Sequence, residues 1–179
     1  LGGGRALFDA AAQRPRPIPV FAEMGSINPI VVTPNALAVR GDSIAEGLVQ
    51  SVTLGTGQFC TNPGIVFVLD TEVSHSFIAK VGALMDQRQP GVLLSEAIQA
   101  KLERVVENTR AQPSVSEVTS VDQIASEGYC YPHTVLKTTA AAFVADASLQ
   151  KEHFGPVTMF VLCPTVEDLL AVSYTHLTL

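Results

Sequence analysis

Positive charge is scarce in this sequence. Eleven lysines and arginines stand against 17 aspartates and glutamates, giving a net charge of −6 and a pI near 5.1. There is no basic run and no interleaving of basic with aromatic residues, so nucleic acid is excluded as a partner on electrostatic grounds. Cysteine is equally sparse. Three in 179 residues, an odd number, argue against a disulfide framework and for a reducing, cytoplasmic compartment. No apolar stretch reaches the ~18 residues that a membrane helix needs, and no signal peptide is read at the start. Internal repeats and low-complexity segments are absent too. Charged residues make up only 16% of the chain, while 47% are hydrophobic and the mean hydropathy is +0.30. That balance excludes intrinsic disorder and suits one domain with a real core.

Three short stretches stand out. Gly55-Thr56-Gly57-Gln58-Phe59-Cys60-Thr61-Asn62-Pro63-Gly64 puts a cysteine in a loop of small residues, ahead of the apolar run Ile65 to Leu69. Its glycines permit turns that a side chain would block, and Pro63-Gly64 is a turn signal in itself. A buried cysteine at a helix–strand junction is the plainer account of this stretch alone. Upstream, Ile18-Pro19-Val20-Phe21-Ala22-Glu23-Met24-Gly25-Ser26 sets a carboxylate at the end of an apolar run, 37 residues before the cysteine. Downstream stands Glu152-His153-Phe154-Gly155-Pro156-Val157.

Together these stretches resemble the aldehyde dehydrogenase superfamily. There a Glu-Leu-Gly-Gly-like motif precedes a Gly-Gln-x-Cys motif by a few tens of residues, and a Glu-x-Phe-Gly-Pro motif follows. Within the superfamily, Arg16 to Val20, Glu23 to Ser26 and Gly57 to Thr61 look most like the α-ketoglutarate semialdehyde (2,5-dioxovalerate) dehydrogenases. Long-chain aldehyde dehydrogenases that prefer NADP share much of this wording.

The resemblance implies an aldehyde-dehydrogenase-type α/β fold, Rossmann-like, with a largely parallel sheet flanked by helices and incomplete at both ends. Residues 1–24 would be the tail of the cofactor-binding domain and 25–172 part of the catalytic domain. Residues 173–179 depart from the family pattern. The implied reaction oxidises an aldehyde to an acid with NADP or NAD, in a parent that forms a homo-oligomer. Cys60 would be the nucleophile and its backbone N–H an oxyanion donor. Glu23 would be the base that activates water, with Gly25 and Ser26 letting the carboxylate turn. Glu152 would hold the nicotinamide-ribose hydroxyls, since a carboxylate is acceptor-only and suits two neighbouring donors. Phe154 would pack beside the ribose or the nicotinamide; an ordinary core aromatic is the other account of it. A free thiol has a pKa near 8.5 and reacts as the thiolate. No basic residue lies close to Cys60 in sequence, so activation must come from the fold or the bound cofactor.

Other functions compete. A cysteine nucleophile with an oxyanion hole also suits an acyltransferase or esterase that uses no nicotinamide. The chain could also be an assembly fragment without turnover. Cys130 and His133 have metal-compatible spacing, but two ligands without a second pair do not make a zinc site, and no metal is expected. Cys163 reads as core, His75 and His176 as solitary, and Asp122, Glu127 and Asp146 as turn or surface residues.

Periodicity supplies the elements. Gly2 to Gly4 read as a loop into a short alanine-rich helix, and the segment to Ala22 reads as a strand entered through prolines. Ile30 to Thr33 is a short strand. Ser43-Ile44-Ala45-Glu46 fits a capping box that opens a helix burying Ile44, Leu48, Ser51 and Val52. Ile65 to Leu69, apolar throughout, is a central strand. Phe77, Val81, Leu84 and Met85 mark a helix. Another, over 95–109, buries Ile98, Leu102, Val105 and Val106 and exposes Glu103, Arg104 and Glu107. Further strands are expected at 114–121, 131–136 and 158–163, with Thr165 capping a helix through Leu170. The alternation predicts α/β layering with parallel pairing.

Overall fold

The computed structural model describes residues 2–25, 27–120 and 127–177, with side chains as far as Ser173. Its centre is a five-stranded sheet in the order β1-β2-β5-β4-β3. The strands are β1 (Pro29–Val32), β2 (Ile65–Leu69), β3 (Ser116–Glu117), β4 (Thr134–Thr139) and β5 (Val157–Cys163). All pairs are parallel except the short edge strand β3, which runs antiparallel to β4. Strands β2 and β5 are apolar along almost their whole length because both sheet faces are covered.

Two helices cover one face: α2 (Pro34–Thr53) and α3 (Glu72–Asp86). They bury Leu48, Val49, Val52, Phe77, Val81 and Met85 against Val66, Val68 and Phe160. The other face is covered by α4 (Glu96–Arg110), α5 (Ala140–Ala145) and α6 (Val166–Leu177). There Leu102, Val106, Phe143, Leu169 and Val172 meet Phe67, Met159 and Val161. An edge-to-face aromatic pair ties helix to sheet on each side, Phe77 with Phe160 and Phe143 with Phe67. Truncating a fully buried phenylalanine such as Phe160 to alanine is expected to cost about 3–5 kcal/mol, read from the urea midpoint.

Several elements differ from the periodicity reading. Helix α1 (Gly2–Ala12) takes in the glycines expected as loop. The segment over 18–22 forms no strand, and Phe21 is 95% exposed. Pro17 and Pro19 offer no N–H, and a strand needs a partner that no described strand supplies here. Helix α2 starts nine residues before the predicted box: Thr33 Oγ accepts from the Ala36 N–H at 3.4 Å and Pro34 fills the first turn. Ser43 follows a break at Arg40 (φ −145°, ψ 31°) inside that helix, and Ser51 faces solvent. Strand β4 begins at Thr134, after Tyr131 to His133, and α5 has no counterpart in the predicted elements. Thr165 does accept from the Asp168 N–H at 3.1 Å, but α6 runs on to Leu177. Ser26, Asp122, the end of the expected 114–121 strand and the last two residues of the chain lie outside the described residues, as does the His176 side chain.

No described helix is long and apolar enough to cross a membrane. None of the three cysteines is in a disulfide.

Candidate active site

The strand order explains how distant residues meet. Strands β1, β2 and β5 are adjacent, with Pro29 beside Ile65 and Ile65 beside Met159. Glu23 lies on the segment that enters β1, Cys60 on the loop that enters β2, and Glu152 and Phe154 on the loop that enters β5. Three loops at the amino ends of neighbouring parallel strands therefore share one rim. Between them lies a cavity of about 610 Å³ lined by Glu23, Met24, Gly25, Gln58, Cys60, Lys101, Glu152 and Phe154. All four sequence-predicted site residues are among these.

The cysteine loop is built by an unusual turn. After α2, Gly55, Thr56 and Gly57 all take left-handed backbone angles, with φ of 55°, 58° and 69°. Such a value is costly for a β-branched residue like Thr56. Gln58 locks the turn: its amide donates to the Gly55 carbonyl at 3.0 Å, and its carbonyl accepts from the Leu94 N–H at 2.9 Å. The Asn28 amide donates to the Cys60 carbonyl and, at 3.3 Å, to that of Asn62. The Asn62 amide in turn donates to the Gly155 carbonyl at 2.9 Å. Cys60 is thus exposed on a loop tied to both neighbouring strand entries.

A Cβ added at Gly57 would overlap the backbone of Gly155 and Pro156. Gly57→Ala is therefore expected to push the two loops apart. It should destabilise the full-length protein by more than about 1 kcal/mol in a urea titration, and it should lower the rate at which iodoacetamide alkylates Cys60.

Glu152 faces the Glu23 segment, since a Cβ on Gly25 would sit 3.6 Å from Glu152 Oε2. Phe154 and Glu152 also border a second, mostly apolar cavity of about 300 Å³ with Ala97, Ile98, Lys101, Leu102 and Val105 of α4. Lys101 is the cation common to both cavities. Periodicity missed it because α4 reads as an ordinary amphipathic helix. The only cue was that Lys101 sits one turn from Ala97 and from Val105.

The remaining candidates separate from this rim. Burial pushes the Cys163 thiol up to about 11, aided by Asp168, which makes it unreactive. Cys130 donates to the Glu127 carbonyl at 3.5 Å, and His133 Nδ1 lies 3.3 Å from that of Met85. Among the described residues no cluster of three or more His, Cys, Asp or Glu could hold a metal. His75 is not solitary: its Nε2 lies 2.7 Å from Asp70 Oδ1. Asp146 accepts from the Ser148 N–H at 2.8 Å and caps a turn, and hydrogen bonding from the Ser148 side chain, then from its N–H, lowers its pKa.

His153, between Glu152 and Phe154, is buried, and burial lowers its pKa from 6.5 to about 4. The folded state therefore binds this proton less readily than the unfolded state. The stability cost is absent above about pH 6.5 and grows as pH falls toward 4, reaching about 3 kcal/mol. Urea titrations between those pH values should show a shallower pH slope for His153→Gln than for the parent.

Comparison with known proteins gives the family and the fold. Residues 3–173 match the aldehyde dehydrogenase family. The alpha-ketoglutaric semialdehyde dehydrogenase 2 of Azospirillum brasilense is 39% identical over 171 residues, which is 95% of this chain and 32% of that protein. The alpha-ketoglutaric semialdehyde dehydrogenase of Acinetobacter baylyi is 31% identical over 164 residues, 90% of this chain and 31% of that protein. A solved NAD-dependent benzaldehyde dehydrogenase from Corynebacterium glutamicum shares the fold. Its TM-score is 0.72 at 18% identity, over 96% of this chain and 37% of that one. The chain spans about a third of the length of the curated relatives it matches.

Proposed function

The chain belongs to the aldehyde dehydrogenase family, and from that premise we propose that it carries the catalytic cysteine and base of an NAD(P)-dependent aldehyde dehydrogenase. The proposed substrate is α-ketoglutarate semialdehyde and the product 2-oxoglutarate, in keeping with the names of the two curated relatives. The observation that carries this reading is the single cavity lined by Cys60, Glu23, Glu152 and Phe154.

The residues suit the chemistry. The Cys60 thiolate adds to the aldehyde carbon, forming a C–S bond and an oxyanion that the Cys60 backbone N–H stabilises. Such a donor is typically worth ~10²–10³ in rate. A nicotinamide nucleotide held by Glu152 and Phe154 would supply the acceptor for the hydride on this carbon. The acyl group then remains on Cys60 as a thioester, and one hard step has become two easier ones. Glu23 takes a proton from water, which attacks the thioester and frees the acid and the thiolate. The fit to a nucleotide lies in the donor set. Glu152 is an acceptor-only carboxylate suited to paired ribose hydroxyls, and Phe154 offers a flat apolar ring beside it.

We assign residues 25–172 to the catalytic domain and 1–24 to the tail of a cofactor-binding domain. The exposure of Leu7, Phe8 and Phe21 supports a further surface packing on that first segment.

The test is the full-length parent with α-ketoglutarate semialdehyde and NAD+ or NADP+. Aldehyde-dependent appearance of reduced nucleotide is expected. Ester cleavage at Cys60 with no reduced nucleotide under any condition would replace the reading with a thiol esterase.

A further inference from the structure

The Glu-x-Phe-Gly-Pro motif leaves its second position open, and here that position is filled by a buried histidine. Glu152 and Phe154 line both cavities described above, while the His153 ring bonds to α4. Its Nε2 lies 2.9 Å from the Thr109 hydroxyl, which donates its own proton to the Val105 carbonyl at 3.0 Å. A hydroxyl has one proton to give, so Nε2–H must be the donor to Thr109 and Nδ1 stays unprotonated in the neutral ring. Burial keeps the ring neutral down to about pH 4, which preserves this donor arrangement at neutral pH.

The relay ends on a wall of the second cavity. Val105 lines the smaller cavity together with Lys101 and Leu102 of α4, opposite Glu152 and Phe154. A second close approach lies beside it, where the Gly155 backbone packs on the Leu102 side chain with no room for a Cβ. We propose that His153 is a positioning residue for the nicotinamide nucleotide: through Thr109 it fixes the distance between the Glu152–Phe154 loop and the α4 wall that carries Lys101. The proposal rests on the reading of Glu152 as the ribose-holding carboxylate.

The experiment uses the full-length parent and its variants His153→Leu, His153→Gln and Thr109→Val. Amide hydrogen exchange over residues 151–155 is measured without nucleotide, and the Kd for NAD+ and NADP+ by calorimetry. His153→Leu keeps the bulk but loses the donor. It should exchange faster in this loop and raise the Kd roughly tenfold. Thr109→Val, nearly isosteric, should do the same, and it carries the test if the leucine variant does not fold. The double variant should be no worse than either single one, because both break one bond. His153→Gln, which can still donate to Thr109, should retain both properties. Alkylation of Cys60 by iodoacetamide without nucleotide should stay at the parent rate throughout.

Unchanged exchange in both His153→Leu and Thr109→Val would overturn the proposal, as would a glutamine variant as impaired as the leucine one. A Glu152→Ala variant separates the two readings. If it weakens nucleotide binding while His153→Leu and Thr109→Val do not, the positioning role alone falls. If Glu152→Ala leaves the Kd unchanged, the ribose assignment falls and the proposal with it.

Discussion

Replacing Cys60 by alanine in the full-length enzyme is expected to cut acid formation at least ~10⁴-fold. The side chain is exposed and contributes little packing, so the melting temperature should stay near that of the parent. The Asn28 amide holds the Cys60 carbonyl, and alanine keeps that carbonyl. The loop is therefore expected to hold its shape, and the Kd for nucleotide should be unchanged because the proposed nucleotide contacts, Glu152 and Phe154, are untouched. A variant that folds, binds nucleotide and yet forms no acid isolates the sulfur as the reacting atom. Neither remaining thiol can stand in for it, since Cys130 and Cys163 are buried and Cys163 is hard to ionise.

Glu23→Gln should behave differently. The amide matches the carboxylate in shape but cannot accept a proton from water. In the proposed mechanism hydride transfer does not require that proton, so one equivalent of reduced nucleotide per active site should appear in a burst. Turnover should then fall ~10²–10⁴-fold, because the thioester waits for unassisted water. Rapid mixing with aldehyde and nucleotide reads both phases. A steady-state rate equal to the parent's would remove Glu23 from the base role. Loss of the burst itself would move Glu23 to the first half of the reaction.

Much of the scaffold could be read from residue pattern. Apolar runs mark β2 and β5 because each is covered on both faces, and helical spacing marks α3 and α4 because each buries one stripe. Failures came where local signals compete. Ser43 to Glu46 satisfies a capping box by composition, but Thr33-Pro34 starts the helix earlier and only a break at Arg40 remains. The segment ending at Ala22 has strand chemistry without a partner, and pairing is not a local property. Helix α5 is six residues long, too short for periodicity to register.

The site divides in the same way. Cys60, Glu23, Glu152 and Phe154 stand in motifs and could be singled out from the sequence. Their convergence depends on β1, β2 and β5 being neighbours, which strand order decides and composition does not. The parts that hold the rim together were invisible for a related reason. Asn62 in Thr61-Asn62-Pro63 looks like a turn residue, yet its partner Gly155 is 93 residues away. Thr109 looks like the end of a helix, yet it faces His153 across 44 residues.

The most direct test of the account is mass spectrometry of the full-length Glu23→Gln variant, quenched in acid just after its burst and digested. The account predicts an acyl group of the substrate's mass on the peptide that contains Cys60, present only when nucleotide and aldehyde were both supplied. A burst of reduced nucleotide with Cys60 unmodified, or the acyl group on another residue, would contradict it.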